Sequence, residues 1–354
     1  MINLNASYTG AYGRIRAYSS EFLSEETFRD LLQAKNVEDL SSKLYSTLYR
    51  SDMDTFSAIN KGLDLIELSL NHRLIMRNRI ALFAAPTPAR DIIRSYLSKW
   101  DVENIKSIIS AKYMGYGIKD TENFLISFRD IPLGLFGGNL THDDFKVLLS
   151  KDTIEDVVNY LSNFGYGQFM LQYMERYRKS GDVGILLFAL DNYYYLHIFE
   201  SLKFFNGDEG PVRSFFSDTV DLRNAMIILK AISLNVEFDR IKESLIPFGT
   251  VLISKLQDAH RTGNIKQAVL MITGNQEIAG AIPESGTKLG DIELSLREQM
   301  LRKYISIFSE QALSVSFTFA FIIKSELERE RIRSIAMGKF YTLDEKTISR
   351  MAMP

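Results

Sequence analysis

FLSEETFRDLLQAKNVEDL (residues 22–40) reads as two short helices placed end to end, and NLTHDDFKVLLSKDTIEDV (139–157) says the same in other residues. With Leu23 set on Leu140 the passages align without a gap. Phe28 falls on Phe145, Leu31 and Leu32 on Leu148 and Leu149, Glu38-Asp39 on Glu155-Asp156, Leu44 on Leu161 and Tyr49 on Tyr166. What the two copies share is helix grammar. Ser24 and Thr141 are N-cap residues, whose side-chain oxygens accept from an otherwise unpaired N–H of the first turn, and the acids that follow suit the positive end of the helix dipole. Asn36-x-x-Asp39 and Thr153-x-x-Asp156 repeat the device at the second helix of each pair, in the manner of a capping box.

A second correspondence ends each copy. DVENIKSIISA (101–111) matches DLRNAMIILKA (221–231), and ERERIRSIAMG (328–338) is a weaker third version. GNIKQAV (263–269) stands where DTIEDVV (152–158) stands, and IPFG (246–249) echoes IPLG (131–134). Three repeats, 1–118, 119–236 and 237–354, account for the 354 residues, the third degenerate at its start.

Between these passages the pattern stays helical. Ile59, Leu63, Ile66, Leu70 and Leu74 step by three or four into one stripe, on a helix that ends before Pro86 and Pro88. Residues 286–333 read as one or two further long helices. Strand alternation is scarce, so the fold class is all-α. Loops are expected at 115–119, 132–139, 206–211 and 274–290.

Composition narrows the function. Hydrophobic residues at 46% and charged residues at 24% are those of a folded domain, and 42 Lys plus Arg against 44 Asp plus Glu leave no basic excess for nucleic acid. The chain has no cysteine, which excludes disulfides, thiolate nucleophiles and zinc ribbons. The first twenty residues lack a signal-peptide apolar core. GILLFALDNYYYLHIFESLKFF (184–205) is broken by Asp191, Asn192, His197 and Glu200, and ALSVSFTFAFII (312–323) falls short of the ~20 residues a membrane span needs. Both are expected as buried core helices.

Chemistry-bearing motifs are weak. His72, His142, His197 and His260 are scattered, with no HExxH-type spacing, although distant residues can still meet in space. His197 lies in an apolar helix and reads as a core histidine. The glycine clusters GYGIKD, LGLFGG and GYGQFM fit no phosphate loop and read as helix stops and turns. Asp143-Asp144 and Glu155-Asp156 are explained by capping, and no GxSxG elbow is present. No catalytic residue, cofactor or metal is therefore assigned. KSELERERIRSIAMGK (324–339) alternates Glu and Arg at spacings that pair within one helix, the pattern of a solvated face, with partner recognition as the alternative.

Taken together, the two ends and the repeat resemble one family. YTGAYGRIRAYSSEFLSEETFRDLLQAKNVEDLSSKLYSTLYRSDM (8–53) is similar to the opening of the C subunit of archaeal and bacterial A/V-type rotary ATPases, the relative of the d subunit of eukaryotic V-ATPase. The carriers are Gly13-Arg14-Ile15-Arg16, Phe22-Leu23-Ser24, and Glu38-Asp39-Leu40 through Thr47 and Tyr49. ELERERIRSIAMGKFYTLDEKTISRM (326–351) resembles the family's closing helices. One departure is Gly13, where the family often has alanine.

The resemblance implies three similar helical domains around a pseudo-threefold axis, forming a funnel-like scaffold without chemistry of its own. It implies a rotor subunit joining the central-stalk subunits to the membrane proteolipid (c-type) ring, on the cytoplasmic face and peripheral to the membrane. Such a part transmits torque for ATP-coupled H⁺ or Na⁺ transport. A helical-repeat adaptor for other protein partners is the alternative. Arg14 and Arg16 in the first helix, with Arg331 and Arg333 in the late one, are the expected polar contacts to a partner. Intramolecular pairing between repeats is the competing role for them.

Overall fold

The computed structural model describes residues 4–19, 21–118, 121, 138–203, 210–283 and 288–352, and every regular element among them is helical. Two compact units emerge, one of residues 1–205 with 309–354 and the other of residues 206–308.

The first unit opens with α1 (Leu4–Ser19), then α2 (Glu25–Leu32), α3 (Val37–Leu44) and α4 (Arg50–Phe56). The long α5 (Gly62–Ala84) follows, with α6 (Thr87–Leu97) and α7 (Lys99–Tyr113). After the segment from 122 to 137, which lies outside the described residues, come α8 (His142–Ser150), α9 (Ile154–Leu161), α10 (Tyr166–Ser180) and α11 (Gly184–Lys203). The second unit holds α12 (Gly210–Ser233), the single turn α13 (Phe238–Ile241), α14 (Ile253–Arg261), α15 (Ile265–Thr273), α16 (Gln276–Ala281) and most of α17 (Leu289–Glu310). The chain then returns to the first unit as α18 (Val315–Phe340) and α19 (Glu345–Met351).

The paired short helices form where the caps place them. Ser24, Asn36, Thr141 and Thr153 each accept from the backbone N–H three residues on, and Thr141 with Asp144 completes a reciprocal capping box. Asn264 caps α15 in the same way, so α14 and α15 make a third pair in the place GNIKQAV marks. Each short helix carries a narrow apolar face. Phe28, Leu31, Leu40 and Leu44 of α2 and α3, and Phe145, Leu148, Val157 and Leu161 of α8 and α9, are buried in one continuous core. The second unit has its own core, built on Leu256, Ala259, Ala268, Val269 and Ile272 against Ala225, Ile228 and Leu229 of α12.

In the first unit α18 packs along α5, and α1 lies against both. On α5 the predicted stripe is buried at Ile66, Leu70 and Leu74, but Ile59 precedes the helix and is 84% exposed. The helix ends at Ala84, ahead of Pro86, while Pro88 sits in the first turn of α6, where its missing N–H costs nothing. Two expected loops are partly helical. Asn275 caps α16 within 274–290, and residues 210 and 211 begin α12, while 204–209 and 284–287 lie outside the described residues. The loop expected at 132–139 and the IPLG segment also fall almost wholly outside them. Long runs expected as core helices are so: Leu186, Ala189, Leu190 and Ile198 of α11, and Phe319, Ile322 and Ile323 of α18, are all buried.

Because the caps are local and equivalent, Thr153→Ala is expected to lower stability by about 1 kcal/mol, read as a reduced urea midpoint with an unchanged slope.

Candidate functional site

The ends of α7, α12 and α18 are built alike. Asp101, Asp221 and Glu328 occupy matching positions in the three late motifs. At the same interval after each, the chain leaves its helix through a residue of positive φ: Gly115 (76°), Asn235 (51°) and Thr342 (52°). The same pair of reverse bonds accompanies each exit, including Tyr116 N to Ala111 O, Val236 N to Ala231 O and Leu343 N to Gly338 O, all at 2.9 Å. This is a Schellman ending three times over, with glycine in one copy and longer residues tolerated in the others.

Each acid clasps the backbone just ahead of a helix pair. Glu328 accepts from Leu23 N at 2.7 Å, Asp101 from Leu140 N at 3.1 Å and Asn139 N at 2.6 Å, and Asp221 from Val251 N at 3.0 Å and Thr250 N at 2.9 Å. Leu23, Leu140 and Val251 all stand the same distance ahead of the cap residues Asn36, Thr153 and Asn264. Close approach dictates glycine beside the two aspartates. A Cβ on Gly138 would collide with the Asp101 carboxylate, and one on Gly249 with that of Asp221. Where the clasp acid is the longer glutamate, Glu21 occupies that place.

The partners of the three acids differ. Glu328, 4% exposed, also takes the Tyr49 hydroxyl at 2.8 Å and Arg77 Nη1 at 2.7 Å. Arg77 in turn donates to the Glu21 carbonyl at 3.1 Å and stacks over Phe22 at 4.4 Å. A carboxylate and a guanidinium this deeply buried are tolerable only because each is paired and hydrogen-bonded. Asp101, 2% exposed, takes the Tyr166 hydroxyl at 3.0 Å and meets no cation among the described residues. Burial therefore raises its pKa to about 7, outweighing the donors from Leu140, Asn139 and Tyr166, and nearby Asp144 adds to the rise. The buried Tyr49 and Tyr166 hydroxyls are pushed well up from the usual phenol range, chiefly by burial.

The stretch 324–339 is thus not the solvated face its Glu/Arg alternation suggests. Its side chains reach across helices: Glu326 to Lys99 at 2.6 Å, Arg329 to Asn71 at 2.6 Å, and Glu328 as above. Arg331 forks onto Glu25 at 2.7 and 3.0 Å, donates to the Ala352 carbonyl and lies 3.7 Å over the Phe28 ring. Arg333 holds Glu67 at 2.8 Å. Arg14 and Arg16 lie exposed on α1. The structure therefore does not gather the four arginines into one constellation.

Three of the histidines lie in different settings. His72 pairs with Asp52 at 2.6 Å, which Arg73 also holds, His260 bonds the Val236 carbonyl at 2.8 Å, and His197 stacks on Tyr193. Burial lowers the His197 pKa. Among the described residues no three His, Asp or Glu side chains gather as a metal site, and no helix is long and apolar enough to cross a membrane. Of the glycine clusters, Gly115 and Gly165 do serve positive-φ turns, whereas Gly167 is small because α10 touches the backbone of α9 and the turn after it.

The likeness to known proteins runs through the same helices. The family model described as ATP synthase (C/AC39) subunit matches residues 11–351. The chain belongs to this family. The A-type ATP synthase C subunit of Thermoplasma volcanium is 38% identical over 98% of both chains, and that of Thermoplasma acidophilum 37% over 95% of both. A more distant relative of the same name, from Methanocaldococcus jannaschii, is 23% identical over 97% of this chain and 85% of its own. The residues matched to this ATP synthase family take in both the early helix pair and the late helix that clasps it.

Two outcomes follow from the clasps. Glu328→Ala, which strands Arg77, is expected to cost about 3–5 kcal/mol in denaturant unfolding, and Arg77→Ala a similar amount. A double-mutant cycle of the pair should show strong coupling. For Asp101 the folded pKa lies above the unfolded value, so the folded state binds the proton more tightly. Its contribution to stability is full below about pH 4 and is lost as pH rises towards 7. The stability of wild type relative to Asp101→Asn should accordingly improve as pH falls from 7 to 4, a trend measured by parallel urea titrations.

Proposed function

We propose that this chain is the non-catalytic rotor connector of an A/V-type rotary ATPase. In this reading it joins the central-stalk subunits to the proteolipid ring at the cytoplasmic face of the membrane, and passes torque for ATP-coupled H⁺ or Na⁺ transport. The observation that carries the reading is family membership over nearly the whole chain, with relatives named as the C subunit of A-type ATP synthases.

The build of the molecule supports it. A part that transmits torque must resist shear between its helices, and the clasps are cross-links of that kind. Glu328 of α18 secures Leu23 and Tyr49, residues at the opposite end of the sequence. The repetition of acid, clasped N–H, helix pair and Schellman exit supports three copies of one helical module, at 1–118, 119–236 and 237–354. A coupling of this sort needs shape and stiffness at two ends rather than a reactive centre.

We place partner contact on Arg14 and Arg16, which are exposed on α1, and give Arg331 and Arg333 an intramolecular role through Glu25 and Glu67. Affinity capture of the chain from its host's membranes should recover central-stalk and proteolipid subunits together with ATPase activity. Recovery of neither, from membranes whose ATPase is intact, would leave the helical fold standing and favour the adaptor reading. Arg331→Ala should lower stability by about 1–2 kcal/mol and leave capture by the folded protein unchanged. Arg14→Ala with Arg16→Ala should weaken capture without moving the melting temperature.

A further inference from the structure

Two of the three clasps are plugged by a tyrosine, and the third stands open. Tyr49 and Tyr166 follow Leu44 and Leu161, the last residues of their helix pairs, at the same interval. Both rings are fully buried, and both hydroxyls point into the clasp carboxylate, at 2.8 and 3.0 Å. In the third copy Ile272 takes the place of Leu44 and Leu161, and the residue at the tyrosine's place is Glu277, exposed on α16. Among the described residues Asp221 meets only the Thr250 and Val251 N–H groups and the Thr250 hydroxyl.

Beside Asp221 lies instead a cleft of about 470 Å³ between α12 and α17, within the ~300–1,000 Å³ typical of ligand sites. Leu222, Ile272, Leu296 and Met300 give it an apolar wall, and Asp221, Thr250, Thr273 and Gln299 its polar points. Asp221 Oδ1 accepts a single N–H, from Val251, so one of its two lone pairs remains for an incoming donor. A second carboxylate on the rim, Asp218, is held by Lys303 at 2.8 Å and Tyr304 at 2.7 Å. Two acids against one lysine favour a neutral hydroxyl donor and disfavour phosphate or carboxylate ligands.

We propose that this cleft is a socket for a tyrosine side chain presented by a partner polypeptide, its ring against Leu296 and Met300 and its O–H donated to Asp221. The two filled clasps show the chemistry that such a site accepts, and in both the occupant is a tyrosine of a polypeptide chain rather than a free small molecule.

The first test titrates the full chain with p-cresol, the tyrosine side chain in isolation, and follows the Met300 methyl resonance. Saturable shifts are expected, with toluene about tenfold weaker for want of the hydroxyl. Thr273→Trp, which fills the mouth from an exposed position, should abolish the response with helicity unchanged. No shift, equal response to toluene, or a response that survives Thr273→Trp would overturn the socket.

The second test rests on the ATPase reading. A photo-crosslinker in place of Thr273 is activated in membranes, with capture of ATPase subunits as the control. A cross-link to a tyrosine-bearing peptide of another chain, lost when that tyrosine becomes alanine, supports the socket. Capture of the ATPase without such a cross-link overturns the socket and leaves the functional reading intact. Failure to capture the ATPase removes the functional reading, and the p-cresol titration then decides the socket by itself.

Discussion

The buried carboxylate of Glu328 is the constraint on which the first unit depends. Burying an ionised group costs several kcal/mol unless its lone pairs are filled, and here a backbone N–H, a phenol and a guanidinium fill them. Each donor comes from a different stretch of chain: Leu23 ahead of α2, Tyr49 after α3, and Arg77 on α5. The acid therefore fixes the first helix pair against α5 and α18 at once. Apolar burial alone makes those helices stick together; the hydrogen-bonded charge decides the register in which they do so, because sliding by one turn would leave a charge unpaired.

The same device recurs with different chemistry. Glu328 carries its own counterion, and the residue facing it need not be glycine. Among the described residues Asp101 has only neutral donors, and it is held so deep that its ionisation shifts to near neutrality. Asp221 lies nearer the solvent, with the Thr250 hydroxyl as a donor and an open cleft beside it. One backbone geometry can thus be kept at three joints while their polar chemistry diverges. Such divergence lets equivalent positions meet different neighbours.

Local features were legible in the sequence and distant ones were not. Ser24, Asn36, Thr141, Thr153 and Asn264 announce their helices because a cap bonds to a residue three positions on. The alignment of Tyr49 with Tyr166, and of Asp101 with Asp221, was also visible as repetition. Its meaning was hidden, since each acid's partners lie tens to hundreds of residues away in the chain. The Glu/Arg alternation at 324–339 misled for the same reason: a helix with its charges paired to itself and one with its charges committed to other helices have the same letters. The short α16 was obscured by neighbouring glycines and a proline, although Asn275 supplied its cap. Of the arginines, residue type pointed to polar contact, but only the fold distinguishes Arg331 lying on Phe28 from Arg14 in the open.

The clasp between Glu328 and Leu23 spans 305 positions of the chain. During synthesis at ~5–20 residues per second, roughly 15–60 s separate the appearance of the two groups. Throughout that interval α2 and α3 have emerged without the carboxylate that fixes them, and Arg77 waits with no buried acid to meet. The early helices of the nascent chain are thus held in a provisional state until Glu328 has been added. A joint of this kind closes late in synthesis, which leaves the ribosome-bound chain more exposed to chaperones and proteases than the folded protein.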